Sequence, residues 1–210
     1  MNIQDNTEFE AKFYPVNKEE YRKKLLAIGA KLVTPERKMK RSVVDSVHNK
    51  SLKCDYIRVR DEGNSIRISA KIHARPNGKV SDQKELDITV SDYDKSVEIF
   101  KLMGFTIDRY QETLRETWSY KNAEIVIDTW PGLSTYSEIE ASSEAEVKEI
   151  AEELGFNWEN KIITGVAYVY SKVYGIPVEE AIEKVSFVTF ENNPFKNLPK
   201  VWDPKTQNEG

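Results

Sequence analysis

The sequence predicts an α+β fold in which eight antiparallel strands close into a barrel around a polar tunnel, with helices packed outside. Three observations lead there: eight segments alternate with a period of two, three helical segments each stop at a glycine, and several alternating segments carry charge along one face. Closure follows because a sheet of eight strands with few helices to cover it removes its exposed edges by joining them.

The alternating segments are residues 7–14, 41–48, 55–61, 65–73, 84–90, 114–121, 124–130 and 134–141. Gly63-Asn64 and Lys121-Asn122 are short polar turns that make antiparallel hairpins of their flanks, and Pro131-Gly132 plays the same part before the eighth strand. Helices are expected over 18–28, 92–103 and 144–154, ending before Gly29, Gly104 and Gly155, where a left-handed terminal residue favours glycine. Their starts are marked by Asn17 with Glu20, Ser91 with Asp94, and Ser143 with Glu146, the spacing of a capping box. Tyr21, Leu25 and Ile28, then Val97, Phe100 and Met103 or Gly104, then Val147, Ile150 or Ala151 and Leu154, give each helix an apolar face for the sheet. A further helical stretch over 165–184 breaks near Gly175 and Pro177. Residues 1–185 thus read as one tunnel domain. Residues 186–210 read as a tail anchored by Phe187, Phe190, Phe195 and Trp202, with Pro194, Pro199 and Pro204 opposing regular structure.

Composition narrows the function. The 210 residues carry 31 Lys plus Arg against 35 Asp plus Glu, a net charge of −4, the opposite of a general nucleic-acid binder. No apolar run reaches the roughly 18 residues of a membrane span, and the first residues lack a secretory pattern, so a cytoplasmic location without membrane partners is expected. One cysteine, Cys54, and two histidines, His48 and His73, exclude an internal disulfide and a cysteine-rich zinc site, leaving oxygen as the main donor to any metal. His48 and His73 read as solvated side chains and Cys54 as an ordinary thiol. Trp118, Trp130 and Tyr136 read as packing against helices or rimming the tunnel. Tyr168 reads as helix core, on a helix able to cover one tunnel end.

Charge on alternate strand positions is the chemical signal. Glu8, Glu10 and Lys12 share one face of the first strand and Phe9, Ala11 and Phe13 the other. The same parity groups Arg58 with Arg60, Arg67 with Ser69 and Lys71, Glu85 with Asp87, and Glu138 with Glu140, while Asp128 ends a sixth such strand. In a closed barrel the helices need the apolar face, so the charged face lines the interior. With Arg115, that interior holds six cations against seven carboxylates, and buried charges persist only when paired or bound to ions. Two divalent cations on the acidic side would bring the lining to about +3, suited to a triphosphate of about −4. Carboxylates select hard cations such as Mg²⁺ or Mn²⁺.

At these residues the chain resembles the CYTH family, the class IV adenylyl cyclases, thiamine triphosphatases and inorganic triphosphatases also called triphosphate tunnel metalloenzymes. The opening ExExK stands as Glu8-Phe-Glu10-Ala-Lys12, the RxR strand as Arg58-Val-Arg60, the Thr-x-Lys strand as Ser69-Ala-Lys71, and the closing ExE as Glu138-Ile-Glu140. Glu85 and Asp87 match an acidic pair, Arg115 a lone arginine and Asp128 a strand-end aspartate. Ser69 in place of Thr, the added Arg67, and Val43-Val44-Asp45 in place of a more aromatic segment are departures. The resemblance implies that Glu8, Glu10, Glu138 and Glu140 hold metal, two Mg²⁺ or Mn²⁺ ions per site, and that Lys12, Arg58, Arg60, Lys71 and Arg115 hold the triphosphate, with Arg67 added as a further substrate cation. Lys71, Glu85, Asp87 and Asp128 are the candidates nearest the chemistry.

Water attacking the terminal phosphorus makes such a site a triphosphatase. A ribose hydroxyl attacking the α-phosphorus of ATP makes it an adenylyl cyclase that releases pyrophosphate. Hydrolysis is the simpler expectation because it needs only the tunnel, and a non-catalytic polyphosphate-binding module is the third reading. The expected partner is a small-molecule triphosphate, to a monomer or homodimer.

Overall fold

The computed structural model describes residues 7–46, 48–72, 79, 82–107 and 109–202, without the side chain of Glu8. The architecture is α+β, a curled antiparallel sheet of eight strands with five α-helices. The strands are β1 (Thr7–Phe13), β2 (Lys31–Asp45), β3 (Tyr56–Asp61), β4 (Ile66–Ile72), β5 (Gln83–Val90), β6 (Arg109–Tyr120), β7 (Ala123–Thr129) and β8 (Tyr136–Ala141). Their order is β2-β3-β4-β5-β1-β8-β7-β6, and β6 pairs in turn with β2. Among the described residues β1 and β5 pair over two positions, with Thr7 opposite Lys84 and Glu8 opposite Gln83.

Two strands run further than the alternation predicts. β2 starts at Lys31, ten residues before the expected start at 41, and β6 starts at Arg109 instead of 114. Pro35 cannot donate to a ladder, and the β2–β6 register shifts between Leu32 and Thr34 and again between Thr34 and Arg37. Such irregularities break the period of two that sequence reading relies on. A ninth strand, β9 (Phe187–Val188), runs parallel to β6 within the segment read as an irregular tail.

The helices are α1 (Lys18–Ala27), α2 (Tyr93–Leu102), α3 (Glu144–Glu153), α4 (Val166–Tyr174) and α5 (Val178–Val185). Asn17 caps α1 by accepting from the amides of Glu19 and Glu20, and Ser143 caps α3 by accepting from that of Glu146. The cap of α2 is Asp92, accepting from the Lys95 amide, and not the expected Ser91. Gly29 and Gly155 end α1 and α3 with φ of +85° and +83°, conformations open to glycine at no steric cost.

The core lies outside the curl. Under α1 and α3, Leu25, Val147 and Ile150 bury against Ala11, Phe13, Ile125 and Ile139, the outward side chains of β1, β7 and β8. Glu10 and Lys12 are therefore turned inward. α2 departs in part from expectation: of its expected face Val97 and Phe100 are half-buried and Met103 is exposed, and its buried residues are Tyr93 and Ser96. A second core joins α4, α5 and the chain after 186, where Phe195 is fully buried and stacks on Tyr170 at 4.1 Å and Tyr174 at 5.1 Å. Trp202 stacks on Tyr14, but Phe187 and Phe190 are exposed and do not act as the expected anchors. No described helix is long and apolar enough to cross a membrane.

Candidate functional site

The inward faces enclose a cavity of about 760 Å³. Its lining includes Glu10 and Lys12 of β1, Arg58 and Arg60 of β3, Arg67 and Lys71 of β4, and Glu85 and Asp87 of β5. Arg115 of β6, Asp128 of β7, and Glu138 and Glu140 of β8 complete the set expected from sequence, apart from Glu8, whose side chain lies outside the described residues. Alternation explains the convergence: positions two apart on each strand point to one side.

The charges are interlocked. Glu10 accepts from Lys12 at 2.6 Å and from Lys71 at 3.1 Å, and all three side chains are about 6% exposed. Burial opposes the Glu10 charge, yet the two ammonium groups outweigh it and hold the carboxyl well below the usual range. Lys71 also reaches Glu85 at 3.0 Å, and Glu85 accepts from Arg58 at 2.9 Å. Arg115 grips Asp128 with two nitrogens, at 2.7 and 2.5 Å, and gives a third bond to Glu138 at 2.8 Å. That bidentate pair raises the Arg115 guanidinium well above its ordinary value despite burial. Arg67 pairs with Asp87 at 2.9 Å, and Ser69 donates to the same carboxylate. The Arg67 side chain is 42% exposed, which places this added cation at the rim.

The acidic side is less balanced. Glu140 lies opposite Glu10 on β1 and opposite Glu124 on β7. Desolvation by the surrounding walls, then the charges of Glu10 and Glu124, push its carboxyl up to about 7 although it keeps access to solvent. Among the described residues Glu140 has no ion pair.

Sequence reading missed several lining groups. Arg41 shares the parity of Val43 and Asp45 on β2, but stood at the assumed start of that strand. Glu124 shares the parity of Asp128 and was legible in the same way. Arg109 pairs with Asp45, and Gln111 donates to the Val185 carbonyl at 2.8 Å, tying the lining to α5. Trp130 and Tyr136 both line the cavity and both bury against the α4 core. Trp118 instead sits in the other core and donates to Glu116 at 2.6 Å. Tyr168 lines the cavity from α4 and is not helix core. His48 contacts Asp45 at 3.3 Å and is half exposed, His73 lies outside the described residues, and burial followed by the Asp55 charge pushes the Cys54 thiol up, away from nucleophilic use.

The CYTH domain model matches residues 6–165. The chain belongs to the CYTH family. No curated protein matches the sequence. Among solved structures, this CYTH chain is similar to a protein from Pyrococcus horikoshii OT3, at 22% identity and a TM-score of 0.63, covering 75% of this chain and 96% of that one. A candidate adenylate cyclase from Vibrio parahaemolyticus aligns at 10% identity and a TM-score of 0.64, covering 79% and 98%. A candidate adenylyl cyclase from Hippeastrum, described as having a dominant triphosphatase activity, aligns at 14% identity and 0.51, covering 82% and 99%. At these identities the likeness is one of fold.

The donor set bears on metal. Among the described residues no three His, Cys, Asp or Glu side chains form a ready cage, because Glu10 and Glu138 are drawn to Lys12, Lys71 and Arg115. The donors present are carboxylate oxygens, and beside Glu10 the neighbouring Glu140 and Glu124 have no ion pair among the described residues. That chemistry fits a hard divalent ion.

Proposed function

We propose that this CYTH chain hydrolyses a triphosphate, with water attacking the terminal phosphorus inside a barrel closed by the β2–β6 pairing, and that it requires Mg²⁺ or Mn²⁺. The observation that supports this most is the convergence of Lys12, Arg58, Arg60, Lys71 and Arg115 on one cavity, each placed there by strand alternation. Five cations on a common chamber match a polyanion far better than a neutral ligand.

In this reading Glu10, Glu138 and Glu140, with Glu8, hold the metal. A bound divalent ion supplies Lewis-acid polarisation of phosphoryl oxygens. Lys12 and Lys71 both give up contact with Glu10 and turn their ammonium groups to the phosphate chain. Arg58 and Arg115 stay fixed by Glu85 and Asp128, so their remaining N–H groups meet the developing charge without reorganisation. Arg60 is held by Glu62 at the chamber wall, and Arg67 with Asp87 at the rim. No side-chain nucleophile is needed, since positioning and charge neutralisation carry phosphoryl transfer.

Incubation with Mg²⁺ or Mn²⁺ and, separately, tripolyphosphate, thiamine triphosphate and ATP, with products resolved by chromatography, tests the reading. Orthophosphate without a cyclic product is expected. Cyclic AMP plus pyrophosphate from ATP would replace hydrolysis by cyclisation, and tight triphosphate binding without turnover would leave a binding module.

A further inference from the structure

The edge of β1 that faces away from β8 meets a different partner at each step. A strand in an antiparallel sheet sends the amide and carbonyl of every second residue to the same edge, so Glu8, Glu10 and Lys12 share this one. Glu8 stands opposite Gln83 in the ladder with β5. Lys12 exchanges two backbone hydrogen bonds with Ile162, each of 2.9 Å. Between them the Glu10 carbonyl is met by a side chain: Gln83 Nε2 donates to it at 2.8 Å.

Gln83 is the first residue of β5 and is fully buried, yet it does not line the cavity. Its Oε1 accepts no hydrogen bond. A buried carboxamide with one end unmet costs free energy that an apolar side chain of the same size would not. That cost falls beside Glu10, whose carboxylate is gripped by Lys12 at 2.6 Å and Lys71 at 3.1 Å and whose partner on β8 is Glu140. The one bond that Gln83 makes therefore fixes the backbone of the most tightly held carboxylate on the acidic wall.

We propose that Gln83 is a positioning residue for the carboxylate of Glu10: its carboxamide stands in for a rung between β1 and β5 and sets the backbone from which Glu10 reaches the metal. The inference rests on the reading of Glu10 as a metal ligand and adds to it a residue that touches neither metal nor substrate. Only a donor satisfies the Glu10 carbonyl, which is why a polar side chain is kept in this buried place. A group that orients a ligand in this way alters metal affinity through the ligand.

Mn²⁺ binding, read from the electron paramagnetic resonance signal of the free ion, tests this on the full chain and on Gln83→Met, which keeps the length of the side chain and removes the donor. About tenfold weaker Mn²⁺ binding is expected in the variant, the scale of losing a group that orients a metal ligand. Turnover should fall at limiting Mn²⁺ and return at saturating Mn²⁺, so the Mn²⁺ concentration for half-activity rises while kcat is kept. Equal Mn²⁺ affinity in the two chains overturns the positioning role, even where the variant is less stable, and leaves the metal reading intact. A parent chain that binds no Mn²⁺ overturns both. Should Gln83→Met fail to fold, the side-chain amide resonances of Gln83 in the parent are expected to move as Mg²⁺ is added, and unmoved resonances would overturn the role.

Discussion

Lys71 Nζ stands 3.1 Å from Glu10 Oε2 and 3.0 Å from Glu85 Oε2, so one buried ammonium on β4 ties the carboxylate of β1 to that of β5. The two carboxylates belong to strands joined by a ladder of only two residue pairs among the described residues. In the proposed reading Lys71 exchanges this structural contact for one to the phosphate chain.

Lys71→Ala is expected to lower kcat/KM for the triphosphate by about 10²- to 10³-fold, the scale of losing one preorganised electrostatic contact. Glu10 keeps Lys12 at 2.6 Å, so the far-UV circular dichroism should be retained. Glu138→Ala should behave alike. Full turnover in either variant would contradict the site.

Outside the cavity, Glu116 on β6 anchors α1 by accepting from Arg22 Nη2 at 2.6 Å and from Trp118 Nε1 at 2.6 Å. Burial opposes its charge, but these hydrogen bonds outweigh it and hold the carboxyl below the usual range. A folded pKa below the unfolded one gives stability that is complete above the ordinary carboxylate range and is lost as pH falls through the folded value. Glu116→Gln should therefore cost about 2 kcal/mol at pH 7, with the gap to the parent closing on acidification toward pH 3. Urea denaturation across that range measures it, and a pH-independent gap would contradict the assignment.

The lining was readable where charge alternates inside one unbroken strand: Glu10 and Lys12, Arg58 and Arg60, Glu138 and Glu140 needed no more than parity. Arg41 shares the parity of Val43 and Asp45 but stood at the assumed first position of its strand, because Pro35 and two register shifts obscure the alternation of the ten residues before it. Arg109 and Gln111 were hidden because β6 begins earlier than its apolar alternation does. β9 is two residues long, too short for any periodic signal, and its place beside β6 depends on tertiary packing.

Phe195 tests whether the chain after 186 belongs to the folded unit. It is fully buried between Tyr170 and Tyr174, so Phe195→Ala should lose about 3–5 kcal/mol in urea denaturation, the range for a buried aromatic truncated to a cavity. A loss under about 1 kcal/mol would mark this segment as dispensable to the core.

Chelation addresses the metal. In excess EDTA turnover should fall to background, and Mg²⁺ or Mn²⁺ should restore it, since carboxylate oxygens select hard cations. Undiminished turnover in EDTA would contradict a metal-dependent site.

The most direct measurement follows tripolyphosphate hydrolysis in ¹⁸O-labelled water by ³¹P NMR, with Mg²⁺ present. Attack of water on the terminal phosphorus places the label in orthophosphate and leaves pyrophosphate unlabelled, which is the predicted result. Label in pyrophosphate, or no consumption of tripolyphosphate, thiamine triphosphate or ATP under the same conditions, would contradict the proposed hydrolysis.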